Sequence, residues 1–178
     1  MMKYLLITII ILICHSGFTQ NNWVTKRIGN ELSVKFPKEP YSDTKPEKRL
    51  TLYTIKSNNS ECSFLVLRRT SAMPDYDRIK NLPLTQREKE INLRLDKAIT
   101  DFIQDNKIIT PLKQIRVGKY IGKQVTYSQL DETTNQVYSQ YTKFVFANNN
   151  VYIIQCSIYV EGECEDEKNF FLNSITSN

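Results

Sequence analysis

Three groups of side chains in this sequence could do chemistry: the cysteines, the paired acids, and a short run that brings Met, Asp, Tyr and Arg together. Past an apolar leader the chain keeps Cys62, Cys156 and Cys164. In an oxidising compartment an odd number leaves at least one thiol unpaired or bridged between molecules, and a bridge among the three stays open. Cys156 falls on an apolar row and reads as a small buried hydrophobe. A reactive thiolate needs a base or a cation beside it, and the only histidine, His15, lies inside the leader. The mature chain therefore has neither Ser-His-Asp nor Cys-His catalysis open to it, and no imidazole metal site. Carboxylate and tyrosine chemistry remains. Asp75 with Asp77, or Asp131 with Glu132, could serve as acid and base. Both pairs read as exposed loop acids, because nothing near them suggests a buried pocket that would raise a carboxyl pKa.

The candidate binding residues are Met73, Asp75, Tyr76 and Arg78. They lie in Ser71 to Leu84, which is longer than a minimal connection, and loops beyond about 12 residues are usually functional or disordered. Tyr and Arg combine contact area with directed hydrogen bonds, while Met adapts to irregular surfaces. The plainer reading is that Met73 and Tyr76 pin the loop to the core. Glu163, Glu165, Asp166 and Glu167 lack the alternating oxygen ligands and mid-loop glycine of an EF-hand, so they read as the start of a helix, where the dipole favours acids. No phosphate-cradling glycine loop, paired-cysteine zinc spacing or nucleophile elbow is present. The sequence predicts no cofactor and no metal.

The leader itself is Met-Met-Lys, the apolar run Tyr4 to Cys14, and small residues at Gly17 and Thr19. This is the pattern of a secretory signal peptide, 1–19, with cleavage before Gln20. The apolar run is too short to cross a membrane, which takes about 20 residues. Export to the periplasm or medium follows as the expected localisation, with 20–178 as one domain and no transmembrane segment in the mature chain. With Lys3 removed, 19 acids oppose all but one of the 24 basic residues, a net charge of +4. The basic residues are spread in singles and pairs such as Lys48-Arg49 and Arg68-Arg69. A nucleic-acid track would need one uniformly basic face, so none is predicted.

The element that must position everything else runs from Gln136 to Val160. It reads as a hairpin turning at Asn148-Asn149-Asn150, since asparagine tolerates the positive φ of a tight turn. In its second strand Tyr152, Ile154, Cys156, Ile158 and Val160 share one face, and Val151 and Ile153 precede Gln155 and Ser157 on the other. A central strand covered on two sides is expected, at least near the turn. Ahead of it, Asn21 to Ile28 and Leu32 to Phe36 read as strands, Tyr41 to Lys48 as a polar loop, and Arg49–Lys56 with Cys62–Arg69 as a second hairpin. Thr70 to Leu84 reads as a crossing loop. A helix begins at a capping box, Thr85-Gln86-Arg87-Glu88, carries Ile91, Leu95, Ala98, Ile99, Phe102 and Ile103 on one core face, and closes at Asp105-Asn106. Ile108 to Val117, broken by Pro111, turns at Gly118 into a strand with Ile121, Val125 and Tyr127. A last helix carries Phe170, Phe171, Leu172 and Ile175.

This order of elements resembles the fold shared by PsbP-like proteins and the Ran-binding Mog family. The resemblance is carried by Leu32-Ser33-Val34-Lys35-Phe36-Pro37, by Gly118 and Gly122, by Asn150-Val151-Tyr152-Ile153-Ile154 and by Phe170-Phe171-Leu172-Asn173-Ser174-Ile175. It implies an α+β domain: an antiparallel sheet of about six strands with helices on both faces. It implies no particular chemistry, because the fold hosts docking and accessory proteins. The expected function is a non-enzymatic exported binding or accessory module that engages another envelope or secreted protein. The alternative is a carboxylate-dependent hydrolase acting on an envelope polymer.

Overall fold

The structure is a computed structural model that describes residues 23–57, 62–70, 76–160 and 162–178. The signal segment and its cleavage site, the tip of the second hairpin, and Met73 and Asp75 lie outside the described residues.

The central hairpin is β8 (Gln136–Ala147) and β9 (Asn150–Ile158). Asn148 and Asn149 make the turn with φ of 45° and 65°, and Asn150 already belongs to the strand. Two consecutive positive φ values match the right-handed twist of the strands they join. All nine residues of β9 are buried. Tyr152, Ile154, Cys156 and Ile158 enter one apolar cluster, and Val151 and Ile153 enter another. Val160, expected on the first row, lies past the strand and is 48% exposed. Gln155 and Ser157 are buried with their polar groups paired. Ser157 Oγ donates to Gln140 Oε1 at 2.6 Å, Gln155 Nε2 donates to the same oxygen, and Tyr127 Oη donates to Gln155 Oε1 at 3.4 Å. Buried amides with partners avoid the desolvation cost that would otherwise exclude them.

The fold is mixed α+β. A seven-stranded antiparallel sheet runs β3-β4-β5-β9-β8-β7-β6, built from β3 (Tyr41–Lys45), β4 (Leu50–Lys56), β5 (Cys62–Thr70), β9, β8, β7 (Tyr120–Asp131) and β6 (Lys107–Val117). A second, three-stranded sheet holds β1 (Val24–Ile28), β2 (Leu32–Phe36) and β10 (Thr176–Ser177) in the order β1-β2-β10. The expected sheet of about six strands is thus exceeded, for a physical reason. β3 occupies the stretch read as the polar loop Tyr41 to Lys48, and it pairs with β4 from Tyr41↔Thr54 to Lys45↔Leu50. As an edge strand with no buried residue it has no apolar alternation to give it away.

One face of the large sheet packs Ile121, Val125, Tyr127, Phe144, Phe146, Val151 and Ile153 against Leu95, Ile99 and Ile103. Those three belong to the long helix α2 (Leu84–Ile103). The other face packs Phe64, Val66, Tyr152, Ile154 and Cys156 against Ile28, Leu32, Val34 and Phe36 of the small sheet, joined by Phe171 and Leu172. Phe171 and Leu172 come from the terminal helix α3 (Glu165–Asn173), so this second cover is chiefly sheet with one short helix beside it.

Three further expectations are corrected. A short helix, α1 (Tyr76–Lys80), interrupts the stretch read as a crossing loop. Helix α2 starts one residue before Thr85, which is exposed and makes no capping bond. Pro83 takes the cap position with extended ψ, and its carbonyl already receives the Arg87 N–H at 2.9 Å, while the Glu88 carboxylate accepts from Arg116 Nη2 at 2.6 Å. β6 continues through Pro111 instead of breaking: its register with β7 shifts between Ile108 and Lys113, and an edge strand tolerates a proline at such a bulge. Gly118 is needed at the β6–β7 turn. It has φ of 55°, and a Cβ there would lie 2.0 Å from Ser177 Oγ.

Candidate functional site

Helix α2 covers the large sheet only in part. Its buried residues meet β7, β8 and the start of β9, whereas on the same face Leu52 and Leu67, which follow Ile153 in register across β4 and β5, stay half-buried. The uncovered half forms a groove of about 620 Å³ between α2 and the 3-10 turn Pro46–Lys48. Its floor is Leu67, Val151 and Ile153, and Ala98 and Phe102 of α2 form one wall. Five cations stand at the rim, Lys48, Arg49, Arg69, Arg94 and Lys97, against two acids, Glu47 and Asp101. Among the described residues Lys48, Arg49, Arg69 and Lys97 enter no ion pair. The volume lies within the range of small-molecule sites, and an apolar floor under a few convergent charges is their usual composition.

Local structure explains how the cations come together. Arg49 has left-handed backbone, φ 51° and ψ 42°, fixed from both sides: its N–H reaches the Pro46 carbonyl and its own carbonyl accepts from Thr70 N–H, each at 3.0 Å. The Leu50↔Arg69 pairing sets Arg69 beside it. Arg94 and Lys97 are three residues apart on α2, one helical turn on a shared face. Sequence inspection reads these as scattered surface charges, and only strand register and the tilt of one helix gather them.

Of the sequence-predicted site residues, Tyr76 and Arg78 do not line this groove, and Met73 and Asp75 fall outside the described residues. Tyr76 is half-buried on α1 with its ring centroid 6.1 Å from that of Phe146, packed against the α2 cluster, and burial raises its phenol pKa. Arg78 is exposed on the same short helix. Tyr76 therefore packs on the core, while Met73, the other residue of the pinning reading, lies outside the described residues. Of the acid pairs, only Asp131 with Glu132 lies wholly within the described residues. Asp131 accepts from the Tyr138 hydroxyl and from the backbone N–H of Thr133 at 2.7 Å and Thr134 at 3.3 Å. The Tyr138 bond first, then Thr133, holds its carboxyl below the ordinary range. A general acid needs the opposite shift. Away from the groove Cys62 and Cys156 are buried and Cys164 half-buried, all three with free thiols. No helix among the described residues is long and apolar enough to cross a membrane.

No protein family is matched by this sequence, and neither is any curated protein. Solved structures are matched. The solution structure of cyanobacterial PsbP from Synechocystis sp. PCC 6803 is similar at a TM-score of 0.55 and 12% identity, over 91% of this chain and 96% of that one. A Pseudomonas aeruginosa protein of unknown function, described as a putative regulator, is matched at a TM-score of 0.45 and 11% identity, over 86% of this chain and 93% of that one. The similarity to PsbP is one of fold alone, and at that level the PsbP-like resemblance read from the sequence is borne out.

Proposed function

We propose that this chain, built on a PsbP-like fold, is an exported, non-enzymatic binding module of the cell envelope whose site is the groove beside α2. The ligand is an anionic amphiphile, with an apolar body on Leu67, Phe102 and Ile153 and an acidic head among Arg69, Lys97 and Arg49. The observation that carries this reading is the excess of rim cations over acids above an apolar floor. Solvated charge alone would not need an apolar floor, and an ordinary core surface would not be ringed by cations.

Calorimetric titration with dodecyl phosphate tests it, with dodecanol and dodecyltrimethylammonium as the neutral and cationic counterparts. The phosphate ester should bind at one site per chain and weaken as salt is raised. Its counterparts should bind at least about tenfold more weakly, the loss expected when a charge-assisted contact worth roughly 1.5–3 kcal/mol is absent. Equal affinity for all three would refute the reading.

A further inference from the structure

Three cysteines, one of them distant in sequence from the other two, come together where β5 begins. Cys62 opens that strand, paired with Ile158, while Cys156 lies opposite Phe64, so the two thiols are diagonal neighbours on one face. Cys164 ends the turn into α3 with φ of 57°, and Glu167 follows it by three residues, one helical turn on. The Sγ of Cys62, the Sγ of Cys164 and a carboxylate oxygen of Glu167 all lie within 4.8 Å of one another. Cys62 Sγ donates to Glu167 Oε2 at 3.6 Å, and Ser57 Oγ lies 4.0 Å from Cys164 Sγ.

We propose that Cys62, Cys164 and Glu167 form a site for a thiophilic metal ion of the zinc class. Zinc binds sulfur at about 2.3 Å in tetrahedral geometry, so two ligating sulfurs stand about 3.8 Å apart. From a spread within 4.8 Å the ligands have to contract by at most about an ångström, and Cys164, on a half-buried turn, is the ligand that can move. Binding converts two thiols to thiolates and releases their two protons to solvent.

Not every pair of these thiols can cross-link. Diagonal neighbours in antiparallel strands have Cα atoms roughly 7–8 Å apart, beyond the usual span of a disulfide, which disfavours Cys62 with Cys156. Cys62 and Cys164 carry free thiols with the Glu167 carboxylate beside both, a donor that coordinates a metal ion and takes no part in a bridge.

Titration of the fully reduced chain with Co2+, followed by displacement with Zn2+, tests the site. Wild type should take up one ion per chain, with the visible bands of tetrahedral cobalt and sulfur-to-cobalt charge transfer, and its thermal midpoint should rise with Zn2+. Cys164→Ser and Glu167→Gln, both at positions outside the fully buried core, should weaken binding, the thiol variant by about 100-fold or more. Circular dichroism confirms that each variant is folded. Absence of the sulfur-to-metal band in the folded, reduced wild type would overturn the proposal, as would a band unchanged in Cys164→Ser. Isolation of the chain with Cys62 and Cys164 joined, and no metal uptake after reduction, would replace the metal site with a structural cross-link.

Discussion

Tyr152 and Glu31 hold the two sheets together at one point. The phenol donates to Glu31 Oε2 at 2.5 Å, Asn30 N–H reaches the same oxygen at 3.0 Å, and Asn150 Nδ2 reaches the other at 3.4 Å. Burial, and then the bond to Glu31, raises the Tyr152 phenol pKa. Tyr152→Phe removes the shortest of these donors and leaves a buried carboxylate under-satisfied. Urea unfolding should show a loss of about 1–3 kcal/mol. At Asp131 the prediction concerns pH. Its folded pKa is depressed, so the Tyr138 bond contributes stability above the unfolded value of about 3.9, and that contribution is lost as pH falls through the folded value. Tyr138→Phe should therefore destabilise at pH 6 and progressively less as pH falls below about 3.9, and a carboxyl NMR titration should show Asp131 moving up. Thr85→Ala, by contrast, should leave the unfolding free energy within about 0.5 kcal/mol, because Thr85 caps nothing. The capping box is legible in the sequence but not used, since Pro83 sets the start of the helix first.

Among the elements, those that announced themselves bury one regular face. The stripe on α2, the alternation in β2, β5 and β9, and the Asn-Asn turn are all visible as periodicities of 3.6 or 2 residues or as positive-φ residue types. The polar elements were silent. β3 buries nothing, β10 is two residues long, and the five residues of α1 are too few to show a period. Gln155 and Ser157 suggested that β9 surfaces at its far end, but their bonds to Gln140 keep it inside, a network that only the β8–β9 register reveals. For α1 the consequence is testable. Tyr76 anchors the helix through Phe146 and Ile79 is fully buried, so Tyr76→Ala should cost about 1–2 kcal/mol, less than the full loss of a buried aromatic. The thermal midpoint should fall by roughly 2–4 °C for each kcal/mol, and an unchanged midpoint would return Tyr76 to the candidates for recognition.

At the scale of the whole molecule the groove was not legible at all, because its parts come from four separated stretches. Lys48-Arg49, Arg69, the Arg94–Phe102 turns of α2, and Val151 with Ile153 meet only once β4, β5 and β9 are in register and α2 has settled over β7 and β8. A net charge that looks dispersed along the chain is thereby concentrated at one rim. Arg69→Glu combined with Lys97→Glu should abolish measurable binding of dodecyl phosphate while leaving the thermal midpoint within a few degrees, since both side chains are exposed. The most direct measurement is an amide chemical-shift map of the labelled chain titrated with dodecyl phosphate. The groove assignment predicts the largest shifts at Leu67, Arg69, Ala98, Phe102 and Ile153, with the Tyr76–Lys80 helix and the β6 edge unaffected. Shifts confined to that helix or that edge would contradict it.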